Sequence, residues 1–188
     1  EGYAAPLRIV EVPIDLTGPE RTLYDGLTEA IRIRFKRVGA SSLKEAMRKT
    51  SPAAVELKIL LQQRKQVLTM ASEKFVALPG LVQEILERDN PTRIFVWSEF
   101  IAALNKADMQ LARQGIPCAV LTGEDSKDTR RSRFEQWGTD FRILLLAKLG
   151  EEGLDAPDAT HGVVLAGART NRQAMQRLGR LLRPMPDK

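Results

Sequence analysis

The feature that most constrains this chain is a repeated alternation of short apolar segments with helical segments after residue 78. Each apolar segment is too short for a buried helix, and the clearest of them, Ile143–Ala147, contains no polar residue. The four segments are residues 93–97, 117–121, 142–147 and 163–166. Short apolar strands that alternate with helices are typical of a parallel sheet that is covered by helices on both faces. We therefore predict an α/β fold for this part of the chain.

The residues before this region, 1–77, have a mainly helical pattern. Alternating apolar and polar residues at 8–14 predict a short strand. Thr17 begins a Thr-Gly-Pro-Glu pattern that is typical of a helix start, and Ser42 and Ser51 are the expected caps of two further helical segments. This part contains few residue types that are suited to catalysis, so we interpret it as a spacer or packing element.

A Leu-Pro-Gly sequence at residues 78–80 is expected to interrupt the helical pattern, because a proline inside a helix removes a hydrogen bond. The predicted organisation is a short strand and helical segment at 1–77, followed by an α/β domain at 78–188. Because the chain begins with Glu1 rather than Met, we expect it to be a fragment of a longer protein.

The composition excludes several classes of protein. The longest apolar run has five residues, whereas a membrane-spanning helix needs roughly 20. The single cysteine, Cys118, cannot form an internal disulfide or a cysteine-rich metal site, and the single His161 disfavours a histidine-centred hydrolase triad. Since no apolar signal segment occurs at the start, we expect no membrane partner and a cytoplasmic location, at the nucleoid in a prokaryote.

Basic residues are concentrated in two segments. The chain has a formal net charge of +5, and residues 169–188 carry six cations against one carboxylate, Asp187. Residues 127–133 hold four cations and one acid. Arginine-rich segments suit bidentate contacts with phosphate, but basic segments are also common on solvated faces. The charge is therefore compatible with a phosphate-rich partner and does not identify one.

Small, hydroxyl-bearing and basic residues follow the predicted strands. Ser98 follows the first strand, Thr122 and Gly123 follow the second, and Lys148 follows the third. In an open parallel sheet, ligands bind at the carboxyl ends of the strands, where amides at helix starts can meet phosphate. The sequence therefore predicts a binding site at this edge of the sheet.

Two arginines near the end of the chain suit an anionic ligand. Arg180 and Arg183 lie three residues apart and thus on one face of a predicted helix over residues 171–182. The two guanidiniums repel one another and need an anion, for which a nucleoside triphosphate is suited. The chain has no Gly-x-x-x-x-Gly-Lys-[Ser/Thr] loop to bind phosphates, and no Asp-Glu pair at a strand end to hold Mg²⁺. We therefore predict no metal site and no ATP hydrolysis by this chain alone.

Four segments resemble motifs of superfamily 2 helicases. The sequence KLGEEGLDAPDAT at 148–160 resembles motif V, and QRLGRLLRP at 176–184 resembles motif VI. Residues 93–100 resemble motif IV, and 121–137 resemble the segment that follows it. This combination is similar to the XPB (xeroderma pigmentosum group B) DNA repair helicase family in its archaeal and bacterial form.

The resemblance extends more loosely over the earlier residues. The sequence VPIDLTGPERTLYDGL at 12–27 is similar to the strand-and-helix entry that follows the first motor domain of that family. Residues 17–77 fall where the family carries a small helical, thumb-like insertion. The resemblance therefore covers nearly the whole chain.

The resemblance implies the second of two RecA-like lobes, preceded by a helical thumb-like segment. ATP and Mg²⁺ would bind between the lobes, mainly to the first lobe, which this chain lacks. The implied function is the C-terminal motor lobe of an ATP-dependent 3′→5′ DNA helicase or translocase in DNA repair. Its partners would be single-stranded or forked DNA and the N-terminal RecA-like lobe of the same protein. The resemblance also allows a nuclease or repair partner.

By their positions in the motifs, individual residues acquire implied roles. The catalytic residues would be two arginine fingers, Arg180 and Arg183, with Gln176 near the γ-phosphate or the attacking water. Nucleotide contact and its coupling to DNA would involve Gly153 and Asp155. Contacts with the nucleic-acid backbone would come from Ser98, Thr122, Gly123 and Lys148, with Arg130 and Arg131 as further phosphate contacts.

A second interpretation comes from another class of protein, a non-catalytic basic nucleic-acid-binding or scaffold domain. It predicts DNA binding that weakens with salt and no effect of Arg180→Ala on any ATPase. The motor interpretation predicts that the same substitution abolishes ATP hydrolysis in the two-lobe protein while DNA binding survives.

Overall fold

The computed structural model describes residues 8–88, 92–147 and 159–165, which fall into two compact units. One unit is the helical segment Ile14–Glu73, and the other contains the described residues before and after it. None of the helices in these ranges is long and apolar enough to cross a membrane.

The helical unit contains α1 (Gly18–Val38), α2 (Leu43–Arg48) and α3 (Pro52–Thr69). All three helices begin where the capping patterns predict. The hydroxyl of Ser42 accepts a hydrogen bond from the Glu45 amide at 3.2 Å. The hydroxyl of Ser51 accepts one from the Ala54 amide at 3.3 Å. These bonds satisfy amides of the first turn that have no partner within the helix.

The core of the helical unit is small and lies where the end of α1 meets α2 and the start of α3. The guanidinium of Arg64 on α3 also lies 5.6 Å from the centre of the Tyr24 ring on α1, so the two long helices are in contact beyond this core. The buried core residues are Val38, Ala46, Ala54 and Leu57.

Helix α4 (Ser72–Arg88) is continuous, so the predicted interruption at residues 78–80 is wrong. A proline inside a helix costs about 3 kcal/mol, but burying one large apolar side chain contributes about 1.5–3 kcal/mol. The buried face of α4 consists of Phe75, Leu78, Pro79 and Val82, and its burial offsets the lost hydrogen bond. The break comes earlier, between Thr69 and Ser72, and the predicted boundary after residue 77 falls inside α4.

The strand predicted at residues 8–14 is also wrong, because these residues form no strand. Ile9 and Val10 are 62% and 67% exposed, and Pro13 has no amide to donate. Alternating apolar and polar residues are typical of a strand with one buried face, but a strand also needs a hydrogen-bonded neighbour. Among the described residues, no strand pairs with this segment.

In the described part of the other unit, four parallel strands form a sheet in the spatial order β2-β3-β1-β4. They are β1 (Ile94–Ser98), β2 (Cys118–Leu121), β3 (Ile143–Ala147) and β4 (His161–Val164). Ile143 of β3 lies opposite Ile94 of β1 and Cys118 of β2, and Ile94 lies opposite His161 of β4. The predicted α/β fold is confirmed, and each strand begins within two residues of its expected position.

Both faces of the two central strands, β3 and β1, are almost completely buried. Successive side chains of a strand point to opposite faces, and all five residues of β3 are buried. On one face, Phe95, Leu144 and Leu146 pack with Trp137. The alternate residues on the other face, such as Val96 and Leu145, are also completely buried. This two-sided burial explains the continuous apolar runs.

Two helices follow the first two strands, as predicted. Helix α5 (Ile101–Arg113) has a helical stripe of buried residues, Ala103, Leu104, Ala107 and Leu111. Helix α6 (Lys127–Gln136) has no buried residue, and its Phe134 ring meets Trp137 edge-on at 6.1 Å. The final helix predicted over residues 171–182 lies outside the described residues.

Candidate functional site

The parallel strands bring several predicted site residues to one edge of the sheet. Ser98, the last residue of β1, lies opposite Ala147, the last residue of β3. Leu121, the last residue of β2, lies opposite Leu146, so Thr122 and Gly123 follow at the same edge. We call this side of the sheet the carboxyl edge. The described residues thus bring together Ser98, Thr122 and Gly123, as the strand pattern predicts.

Ser98 is completely buried. Its hydroxyl accepts a hydrogen bond from the Phe100 amide at 3.2 Å and so stabilises the turn between β1 and α5. Phe100, the residue that precedes α5, has no side-chain group to cap the helix. In this conformation the Ser98 hydroxyl therefore serves the turn and does not face solvent.

Thr122 is bound by a carboxylate of its own loop. One oxygen of Asp125 accepts hydrogen bonds from the Thr122 amide at 2.6 Å and from the Thr122 hydroxyl at 2.9 Å. The same hydroxyl accepts a bond from the Glu124 amide at 3.3 Å. The loop that leaves β2 is therefore held by its own side chains.

The two arginines predicted to contact phosphate differ in their surroundings. A terminal nitrogen of Arg130 donates to the Gly123 carbonyl at 2.8 Å, and its Nε is buried with no hydrogen-bond partner among the described residues. Arg131 is 76% exposed, and its ion pairs with Asp128 and Glu135 are long, at 3.6 and 3.9 Å. Exposed pairs of this kind contribute little to stability, so the Arg131 guanidinium is available to a partner.

Other predicted site residues lie outside the described ranges, and their roles stay predictions. They are Lys148, Gly153, Asp155, Gln176, Arg180 and Arg183. Within the described ranges, no group of three or more His, Cys, Asp or Glu side chains is arranged to hold a metal ion.

Sequence reasoning missed one charged side chain near the carboxyl edge, Lys74. Its ammonium donates to the Leu165 carbonyl at 3.0 Å, and Leu165 directly follows β4. Burial lowers the pKa of Lys74 below its ordinary value. A lysine in the first turn of a helix usually lies in solvent, so the pattern of residues gives no signal of this contact.

The surroundings of Cys118, at the start of β2, disfavour its thiolate form. Burial, together with a hydrogen bond to the Asp108 carboxylate at 3.1 Å, raises the pKa of the Cys118 thiol to about 12. Because the thiolate is the nucleophilic form, these surroundings disfavour nucleophilic chemistry at Cys118 at neutral pH.

Comparison with protein families gives one match that covers more than half of the chain. The model of the helicase conserved C-terminal domain matches residues 73–185. The match includes all four strands and the two segments, 148–160 and 176–184, that resemble motifs V and VI.

Two curated proteins illustrate the sequence similarity. The DNA 3′-5′ translocase XPB2 of Sulfurisphaera tokodaii is 28% identical over 96% of this chain and 41% of its own length. The general transcription and DNA repair factor IIH helicase/translocase subunit XPB of Dictyostelium discoideum is 32% identical over 66% of this chain and 15% of its own length. The chain thus spans less than half the length of these relatives.

A solved structure shows the similarity of the fold. The Sulfolobus solfataricus SWI2/SNF2 ATPase core, solved in complex with double-stranded DNA, superimposes with a TM-score of 0.63 at 16% identity. The superposition covers 87% of this chain and 36% of that one.

Proposed function

The chain belongs to the helicase conserved C-terminal domain family, and from this we propose that it is the C-terminal motor lobe of an ATP-dependent 3′→5′ DNA helicase or translocase of XPB type. The observation that carries the proposal is the family match over residues 73–185, which contains the four described strands and both helicase-like segments. The similarity to the XPB2 translocase over 96% of the chain supports the XPB type.

The catalytic contribution of this lobe is charge stabilisation. When bound, ATP with Mg²⁺ would supply the γ-phosphoryl group, and arginine guanidiniums would stabilise the negative charge of the transition state of its transfer. Arg180 and Arg183 would supply these groups, and Gln176 would orient the attacking water. The P-loop and the Mg²⁺ ligands would come from an N-terminal lobe, so the chain alone would not hydrolyse ATP.

DNA binding would use the carboxyl edge and the loop after β2. The charged side chains at the exposed surface of α6 are Lys127, Asp128, Arg131 and Glu135, and the ion pairs of Arg131 there are long. A contact of this kind adds affinity without sequence preference, which suits a motor that moves along DNA. A role in DNA repair is supported by the name of the Dictyostelium relative.

The decisive experiment uses the longer protein that contains both lobes. Arg180→Ala should lower kcat for DNA-stimulated ATP hydrolysis by on the order of 10³-fold and leave DNA affinity nearly unchanged. Arg172→Ala is the matched control, because it removes a cation of the same segment outside residues 176–184. Normal turnover by Arg180→Ala would reject the arginine-finger role and favour a non-catalytic nucleic-acid-binding domain.

A further inference from the structure

The loop after β2 leaves one of its backbone amides free. Of residues 122–125, three have an amide that donates within the loop. Those of Thr122 and Glu124 donate to side-chain oxygens, and that of Asp125 donates to the Thr122 carbonyl at 3.3 Å. The Gly123 amide donates to no described residue, and Gly123 is exposed. Because glycine allows a ligand to approach the backbone closely and amides commonly contact phosphate, the Gly123 amide is the donor that this loop can offer to a phosphate.

The direction of the Gly123 amide depends on the two peptide groups that flank the residue. The preceding group is held at the Thr122 carbonyl by the Asp125 amide. The following group is held at the Gly123 carbonyl, which accepts a hydrogen bond from a terminal nitrogen of Arg130 at 2.8 Å, and by the longer bond from the Glu124 amide to the Thr122 hydroxyl. Glycine has wide conformational freedom and no side chain that could hold it. Arg130 on α6 thus supplies for Gly123 a contact that Thr122 and Asp125 make with their own side chains.

Arg130 faces the protein, unlike the neighbouring Arg131. Arg130 lies four residues before Phe134 and thus on the same face of α6, and Phe134 packs against the buried cluster that contains Trp137. The Nε of Arg130 is itself buried. Arg131 is 76% exposed. Of these two adjacent guanidiniums, one is therefore bound to the loop and the other is open to solvent.

We propose that Arg130 is a positioning residue and does not itself contact phosphate: by holding the Gly123 carbonyl, it fixes the direction in which the Gly123 amide meets a phosphate of the DNA backbone. This inference rests on the proposed function, in which the carboxyl edge and this loop bind DNA. Hydrogen bonds weaken steeply when their angle is poor, so a rotated Gly123 amide loses its contribution. Of the two arginines, only Arg131 then neutralises a phosphate.

The test measures the affinity of the two-lobe protein for labelled single-stranded DNA by fluorescence anisotropy at several salt concentrations. Arg130→Met keeps much of the apolar stem and removes the donors. We expect the affinity to fall about 10-fold, because one hydrogen bond to a charged group is lost. The slope of log K against log salt should stay at its wild-type value, since only the loss of a cation that neutralises a phosphate changes it, by about 0.7–1. A slope lowered by this amount, or an unchanged affinity, overturns the inference.

Three further variants complete the binding experiment. Arg130→Lys, whose ammonium can donate to the same carbonyl, should recover most of the affinity, and an affinity as low as that of Arg130→Met contradicts the role of the Gly123 contact. Arg113→Met removes the same charge from the exposed end of α5 and should change the affinity less than about twofold. If Arg130→Met does not fold, Arg130→Gln decides, because a wild-type slope is then expected and a lowered slope contradicts the inference.

Hydrogen exchange tests the positioning without DNA. In the same protein, Arg130→Met should speed exchange at least about threefold in a peptide containing residues 122–125, because the loop then opens more readily. A peptide from β3 should change little, and Arg131→Met is the matched control that should leave exchange in the loop unchanged. Unchanged exchange in the loop of Arg130→Met overturns the inference.

The two proposals fail in different ways. A wild-type protein that binds no DNA contradicts the proposed function. The exchange measurement still decides in that case whether Arg130 holds the loop. If the wild type binds DNA and Arg130→Met binds it equally well, only the positioning role is rejected.

Discussion

Asp125 binds Thr122 through two hydrogen bonds to a single carboxylate oxygen, from the amide at 2.6 Å and from the hydroxyl at 2.9 Å. Both donors that Thr122 could offer a phosphate are therefore engaged by an anion of the same loop. A phosphate oxygen bound by either donor would lie beside this carboxylate, and two anions repel. Access to Thr122 thus requires the Asp125 side chain to move.

Removal of this carboxylate should destabilise the loop. Asp125→Ala leaves two donors of Thr122 without their acceptor, and we expect the free energy of unfolding to fall by about 1–2 kcal/mol. Urea denaturation followed by circular dichroism measures the change. Asp140→Ala, at an exposed acid in the turn after α6, should stay within about 0.5 kcal/mol of the wild type. Equal stability of the two variants would refute the structural role of Asp125.

Arg131 should contribute to DNA affinity without contributing to stability. We expect Arg131→Ala to weaken DNA binding uniformly across sequences and to reduce the slope of log K against log salt by about 1. Fluorescence anisotropy with labelled single-stranded DNA at several salt concentrations measures both quantities. Arg113→Ala, at an exposed arginine at the end of α5, is the control. If both variants lose the same affinity, α6 makes no specific contribution to the DNA contact.

Glu20 should make stability depend on acid pH. Its carboxylate accepts hydrogen bonds from the Thr17 amide and from the amide and hydroxyl of Ser72, all at 2.8–2.9 Å. Burial opposes ionisation, but these donors outweigh it and lower the pKa of Glu20 from 4.5 to about 2. A lowered pKa in the folded state contributes stability above the unfolded value. That contribution is therefore full above about pH 4.5 and is lost as the pH falls toward 2.

The measurement is the urea midpoint between pH 7 and pH 2.5. Glu20→Gln should be less stable than the wild type at neutral pH, and the difference should shrink as the pH falls below 4.5. Glu73→Gln, at an exposed acid nearby, should follow the wild-type curve. A difference between Glu20→Gln and the wild type that is constant over this pH range would contradict the assignment.

Gly138 should not tolerate a side chain. Its φ is 104°, a conformation that L-residues rarely adopt, and an added Cβ would lie 2.7 Å from a terminal nitrogen of Arg93. The Arg93 guanidinium lies over the Trp137 ring, which limits its retreat. We expect Gly138→Ala to lower the free energy of unfolding by about 1–2 kcal/mol. Thermal and urea unfolding measure the change.

Gly80 offers a matched control for this substitution. It lies in α4, and an added Cβ there would meet no atom within 4 Å. Alanine favours a helix over glycine by about 1 kcal/mol, so Gly80→Ala should be neutral or stabilising. A loss of stability as large as that of Gly138→Ala would show that the crowding at Arg93 is not the cause.

The central strands β1 and β3 could be predicted from the sequence because burial on both faces requires an unbroken apolar run. Helix starts could also be predicted, since Ser42 and Ser51 act through local bonds to residues three positions later. In contrast, the continuity of α4 through Pro79 depends on the burial of its face, which no local pattern contains. The strand prediction at 8–14 was also wrong because of a non-local requirement, since alternating apolar and polar residues do not supply a neighbouring strand with which to pair.

For the candidate site too, the location could be predicted from the sequence, whereas the hydrogen bonds of its residues could not. Its location at the carboxyl edge follows from strand order, so Ser98 and Thr122 could be placed there from the sequence. Their hydrogen bonds within the protein are decided by loop conformation. The Thr122–Asp125 spacing is typical of a turn that side chains stabilise, so it could have been used to predict the hydrogen bonds between these two residues. The Lys74–Leu165 contact joins residues far apart in the chain and has no such signal.

The strand order also governs when the sheet can form during synthesis on the ribosome. In the described sheet, β1 and β2 emerge first but do not pair with one another, because β3 lies between them. A nascent chain that ends before Ile143 therefore exposes two apolar strands without a native neighbour. Once β3 has been translated, both strands gain their native neighbour at once, since β3 pairs with β1 and with β2. Until then, the exposed apolar surface and unpaired strand edges favour aggregation of the nascent domain.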